Sequence, residues 1–141
     1  MSRTTRIKRE ILAKVLSHAK RAEAQECCGV LAGTHGLISR IFSASNVAPN
    51  PATNYEIAPQ EVCAFMRQMR LEKIEFLGIY HSHPNGKNEP SRRDIERAYY
   101  SEVAYFIVST QTDPPVRAFS IKDGQVEELR IEIELRNSPG A

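Results

Sequence analysis

The stretch Phe76-Leu77-Gly78-Ile79-Tyr80-His81-Ser82-His83 decides the fold. It is apolar on both alternating faces up to the histidines, the pattern of a central strand covered on both sides rather than one with a wet face. Leu77, Ile79, His81 and His83 fall two apart, so a regular strand projects them from one side. Pro84-Asn85-Gly86 then turns the chain sharply, leaving both imidazoles at the strand's C-terminal end.

Upstream of this strand, residues 9–22 place Ile11, Leu12, Val15, Leu16 and Ala19 at helical spacing, with Lys14, Lys20 and Arg21 on the opposite face. His18 on that helix reads as a surface or boundary histidine. Residues 28–33 and 36–45 read as two strands joined by the turn Gly33-Thr34-His35-Gly36. Residues 46–55 contain Ala48-Pro49 and Asn50-Pro51 and form a long surface loop. Pro59 opens a second helix, whose stripe Val62, Phe65, Met66 and Met69 assigns both methionines to the core.

Downstream, Ser91-Arg92-Arg93-Asp94 has the form of a capping box and starts a helix running through Ile95, Ala98 and Tyr99. Residues 103–108 are a second continuously apolar strand. Residues 116–121 and 126–135 flank Asp123-Gly124 and predict a hairpin, its last strand alternating Leu129, Ile131, Ile133 and Leu135 with charged residues. The order predicts an α+β fold, an α-β-α sandwich around a mixed, curved sheet.

A chain of 141 residues corresponds to one domain, 1–141, large enough to bury a core without disulfides. The 19 basic and 17 acidic residues are interspersed and leave a net charge of only +2, which is no footprint of a nucleic-acid binder. No apolar run approaches membrane-spanning length, and the basic residues 1–15 lack the apolar core of a signal peptide, so the expectation is a cytoplasmic protein. Cys27, Cys28 and Cys63 are odd in number and suggest no disulfide framework or zinc knuckle.

Two histidines and one carboxylate with an open position form the ligand set of a catalytic rather than structural zinc. His81 and His83 supply the imidazoles, and Asp94 arrives in the first turn of the next helix. A His-x-His pair is common by chance, but unpaired imidazoles at the end of a buried strand are costly. Asp94 is also explained as a capping acid that complements the helix dipole. Other zinc hydrolase patterns fit less well: a barrel of roughly 250 residues is too large for this chain, and the deaminase Pro-Cys-x-x-Cys and the His-Glu-x-x-His helix are absent.

His81-Ser82-His83-Pro84, followed after six residues by Ser91 and after two more by Asp94, resembles the motif of the JAMM (MPN-plus) metalloproteases. Glu26-Cys27-Cys28-Gly29-Val30-Leu31-Ala32-Gly33 resembles that family's Glu-x-Cys-Gly-x-Leu-x-Gly segment, and residues 46–55 its Asn/Pro/Tyr loop. The likeness spans nearly the whole chain. Ala24 departs from the family pattern, which often has a proline two residues before the glutamate.

The resemblance implies an MPN/JAMM-like fold of cytidine-deaminase-like topology, with one Zn²⁺ on His81, His83 and Asp94. It implies Glu26 as general base, a choice that spacing alone leaves open among Glu23, Glu26, Glu56 and Glu89. Ser91, otherwise a plain N-cap, becomes the hydroxyl facing the reacting carbonyl. The implied activity is zinc-dependent peptidase or isopeptidase cleavage at the C-terminus of a ubiquitin-like or sulfur-carrier protein. A non-catalytic scaffold and a small-molecule amide hydrolase are the alternatives. Lys87, Arg92 and Arg93 read equally as a solvated face or as contacts to a carboxylate or acidic carrier. The oligomeric state stays open, a homodimer included.

Overall fold

The computed structural model describes residues 3–135, arranged as seven strands and three helices. The strands are β1 (Thr4–Lys8), β2 (Cys28–Thr34), β3 (Leu37–Ala44), β4 (Glu75–Ser82), β5 (Ala104–Val108), β6 (Val116–Lys122) and β7 (Gln125–Glu134). The helices are α1 (Arg9–Ala22), α2 (Pro59–Glu72) and α3 (Arg92–Glu96). The strands pair in the order β1-β3-β2-β4-β5-β6-β7, and β1 returns to β7, so the mixed, curved sheet closes into a barrel.

β4 lies at the centre, antiparallel to β2 and parallel to β5. Its two faces bury different layers. The inner face joins Tyr80 to Ile7, Leu31, Ile38, Phe106 and the Ile11, Val15 and Ala19 stripe of α1. On the outer face Ile79 packs with Tyr105, Ile107 and Phe119, beside Ile95 of α3, while Val30 and Phe42 pack under Met69 of α2. Helices therefore cover both faces, as a strand apolar on both sides requires.

Four details depart from the sequence reading. β1 was not anticipated: within a basic N-terminal stretch it buries a single large residue, Ile7, and its parallel partners come from β3 and β7. Leu77 does not share a side with Ile79 and His81. The β2–β4 register shifts between Leu31 and Ala32, which makes Leu77 an extra residue on β4 and turns it inward with Tyr80, whereas Phe76 stays outward with Ile79. Of the two α2 methionines Met69 is fully in the core, whereas Met66 is half-buried, packing on the same cluster while lining a surface groove with Val62. Helix α3 ends at Glu96, and Tyr99 lies beyond it, 77% exposed.

The hairpin turn behaves as predicted, with Asp123 and Gly124 at φ 51° and 78°, the left-handed pair a tight two-residue turn demands. His35 likewise sits in a turn at φ 53°. His18 is a boundary residue whose Nδ1 lies 2.7 Å from the buried Tyr80 hydroxyl. All three cysteines are free, Cys27 and Cys28 buried and Cys63 exposed. Among the described residues no helix is long and apolar enough to cross a membrane.

Candidate active site

The end of β4 delivers His81 as its penultimate residue, and the ladder extends one step further because His83 N–H donates to the Val108 carbonyl at 2.8 Å. The loop that follows is pinned rather than loose. Ser109 Oγ donates to the Gly86 carbonyl at 2.7 Å, and the buried Asn88 donates to the Pro114 carbonyl at 2.8 Å. His83 Nδ1 bonds the Lys87 carbonyl at 2.7 Å. A carbonyl can only accept, so His83 is protonated on Nδ1, and Nε2 is the nitrogen turned inward toward Asp94.

The loop returns Asp94 to the histidines. Ser91 Oγ accepts Asp94 N–H at 3.1 Å while Asp94 Oδ2 accepts Ser91 N–H at 2.9 Å, a complete capping box. The same Oδ2 lies 3.0 Å from His83 Nε2 and 3.1 Å from His81 Nε2, and the two Nε2 atoms are 3.0 Å apart. Capping and convergence on the histidines thus use one oxygen.

Three donor atoms in a near-equilateral triangle match one face of a tetrahedral ion, whose ligands at about 2.0–2.1 Å stand about 3.3–3.4 Å apart. Two imidazole nitrogens and a carboxylate oxygen form a borderline-soft donor set suited to zinc once the nitrogens are deprotonated. His81 is 1% exposed, and burial lowers its pKa, keeping it neutral with a lone pair available. Burial would raise the Asp94 pKa, but Nε2–H groups of His81 and His83 beside Oδ2 hold it well below the usual carboxylate range. The same pairing raises the pKa of His83 against its burial; a bound metal would take the place of those protons. His81, His83 and Asp94 fit a metal.

Glu26 lies just before β2, in a segment aligned with the end of β4 by the Cys28–His81 pair. It is buried at 6% exposure, and its Oε1 has no hydrogen-bond partner. Burial pushes its pKa up to about 7, with His83 opposing and Asp94 reinforcing the shift, so Glu26 shares the electrostatic environment of the triad. Of the flanking cations, Arg93 lines the adjacent groove, whereas Arg92 pairs outward with Glu96 at 3.6 Å. Lys87 contributes its carbonyl to His83 and is itself exposed.

Residues 8–122 match the family model described as prokaryotic homologs of the JAB domain. The chain belongs to the prokaryotic JAB-domain family. It is 34% identical over 119 residues to a probable TtuB-protein conjugate cleaving protease of Thermus thermophilus, covering 84% of this chain and 77% of that one. A desampylase of Haloferax volcanii is 32% identical, covering 85% and 89%. A CysO-cysteine peptidase of Mycobacterium tuberculosis is 32% identical, covering 90% and 89%.

Among solved structures, a protein from Desulfitobacterium hafniense superposes with a TM-score of 0.83 at 25% identity, covering 94% of each chain. A structure described as JAMM, a metalloprotease-like zinc site in the proteasome and signalosome, superposes at 0.62 with 19% identity, covering 93% and 98%. This JAB-domain protein is accordingly a JAMM-type hydrolase with the MPN/JAB fold.

Two neighbours of the site escaped the sequence reading, both in the loop 46–57. Tyr55 stacks on His81, and Asn46 makes a fan of hydrogen bonds that reaches Glu26. The Asn/Pro/Tyr content marked the loop, but nothing local singled out which of its residues reach the site.

Proposed function

We propose that this JAB-domain protein, as one catalytic unit spanning the chain, is a zinc peptidase that hydrolyses the amide bond joining a ubiquitin-like or sulfur-carrier protein to its C-terminal adduct. The observation that carries the reading is the convergence of His81 Nε2, His83 Nε2 and Asp94 Oδ2 beside a buried carboxyl with an unpartnered oxygen. Those three atoms would hold one Zn²⁺. When bound, it would supply Lewis acidity to the scissile carbonyl and bring the pKa of water at its open position to about 7.

The remaining chemistry belongs to the chain. Glu26, with its pKa pushed up to about 7, takes a proton from the attacking water and delivers it to the leaving amine. A carboxylate at the usual 4.5 would be the weaker base and would take that proton less readily. Ser91 Oγ accepts Asp94 N–H through a lone pair, so its own hydroxyl proton stays available to the developing oxyanion. Cys28 is no rival nucleophile, because burial pushes its thiol up to about 12.

A groove of about 400 Å³ runs from Asp94 and Arg93 past Tyr55, Ile57, Met66 and Phe76. Its apolar floor and the cationic Arg93 and Arg97 suit an extended peptide tail better than a small amide. The names of the three relatives, for cleaving TtuB–protein conjugates, for desampylation and for CysO-cysteine cleavage, support a carrier protein as the substrate. A complete donor set speaks against a scaffold without catalysis.

The test is zinc analysis together with mass spectrometry of carrier-protein adducts incubated with the protein. About one zinc per chain and a released C-terminal adduct, both abolished by chelation and restored by zinc, are expected. Full cleavage by rigorously metal-free protein would rule the mechanism out.

A further inference from the structure

Glu26 is positioned without the help of its own carboxyl. Its buried Oε1 meets no hydrogen-bond donor, so no protein group anchors that oxygen. The constraint comes through the main chain instead. Glu26 N–H donates to the Pro51 carbonyl at 2.8 Å, and the Glu26 carbonyl accepts from Asn46 Nδ2 at 3.0 Å. The next amide, Cys27 N–H, donates to Ser82 Oγ at 2.8 Å, joining the segment to the residue between the two histidines.

Asn46 is the hub of this arrangement. Its Nδ2 also donates to the Asn54 carbonyl at 2.7 Å and, more distantly, to the Pro51 carbonyl at 3.4 Å. Its Oδ1 accepts Ala48 N–H at 3.0 Å and Glu56 N–H at 3.1 Å. The reversed amide would set oxygen against three carbonyls and NH₂ against two N–H groups, so the neighbours dictate the orientation. One side chain therefore ties the main chain of Glu26 to the loop whose Tyr55 stacks on His81.

We propose that Asn46 is the positioning residue of Glu26, holding it beside the His81, His83 and Asp94 cluster through the backbone and so leaving the carboxylate free to exchange protons. The proposal rests on the reading of Glu26 as the general base. Oδ1 serves only the loop, whereas Nδ2 ties the base and the loop together, and one substitution removes the Nδ2 contacts while sparing those of Oδ1. Asn46→Asp keeps acceptors for Ala48 and Glu56 but turns a carboxylate oxygen toward the carbonyls of Glu26 and Asn54.

The experiment is a double-mutant cycle of Asn46→Asp with Glu26→Gln, read as single-turnover cleavage of a carrier-protein adduct, with KM and zinc content measured for each variant. Asn46→Asp should lower the rate roughly 100-fold in the native background, the scale expected when a reacting group is misplaced by about an ångström. KM and zinc stoichiometry should not change. In the Glu26→Gln background the same substitution should cost almost nothing, because there is no base left to misplace.

An equal loss in both backgrounds, or a loss confined to KM, overturns the proposal and reduces Asn46 to a loop residue. Should Asn46→Asp fail to fold, Asn46→Ala, which adds no charge, goes through the same cycle and is read by the same criterion. Wild-type turnover by Glu26→Gln alone would defeat the underlying reading of the base, an outcome visible from that single variant.

Discussion

Tyr55 lies flat on His81, ring centroids 4.5 Å apart and planes inclined by 22°, while His81 Nδ1 is buried with no hydrogen-bond partner. The contrast with His83 is informative, since His83 is oriented by the Lys87 carbonyl. A metal-ligating imidazole usually owes its orientation to a hydrogen bond on its second nitrogen; in the proposed zinc site the aromatic face of Tyr55 would do that for His81.

Tyr55→Ala should therefore weaken zinc binding by about tenfold, at the low end of what losing an orienting partner costs. Tyr55→Phe, which keeps the ring, should leave affinity unchanged. Competition against a chromophoric chelator measures both, and equal affinities for all three proteins would show that the stacking orients nothing.

Glu26 makes the metal-free protein pH-sensitive. Its pKa rises from an ordinary 4.5 to about 7 in the fold, so the folded state binds more protons than the unfolded state between those values. Its contribution is fully present below pH 4.5 and is lost as pH rises through 7. Glu26→Gln removes the buried charge, so the chelated variant should be more stable than chelated wild type at pH 8 by about 2–3 kcal/mol. That gap should close near pH 4.5, as urea unfolding at both pH values would reveal. A pH-independent gap would mean that Glu26 titrates normally.

How much of this was readable beforehand follows from where the information lies. His81, His83, Ser91 and Asp94 sit within one short segment bounded by a strand pattern and a capping box, both local signals. Glu26 is distant in sequence, and its place beside them depends on β2–β4 pairing, for which only the family resemblance stood in. β1 and the extra residue at Leu77 are invisible locally because both are matters of register with partners far along the chain. Helix α3 runs short as its continuation leaves the core: Arg97, Tyr99 and Tyr100 meet solvent and the groove, and of residues 97–100 only Ala98 packs on a core cluster.

Gly29 is required by a close approach, not by a turn. A Cβ there would collide with the ring of Tyr80 and the carbonyl of Phe42. Tyr80 is fully buried and cannot swing aside without disturbing Leu31 and Phe106. Gly29→Ala should destabilise the protein by about 2–3 kcal/mol, as overpacking of a dense core does. Chemical denaturation would check this, and a neutral outcome would show that the inner core has slack.

Ser91 offers a way to separate structure from chemistry. It caps α3 through a lone pair, and the proposed catalytic role uses its proton, so the two functions respond differently to substitution. Ser91→Ala should lose both, about 1 kcal/mol of stability and most of the turnover. Ser91→Gly forfeits only a few tenths of a kcal/mol, because glycine is tolerated at an N-cap. Yet it should lose turnover roughly 100-fold or more, the cost of removing one oxyanion donor. Ser91→Thr keeps a hydroxyl at the cap and should retain much of both. If the glycine variant cleaved a carrier adduct at the wild-type rate with zinc bound, Ser91 would be a cap alone, and the oxyanion would have to be stabilised from elsewhere in the site.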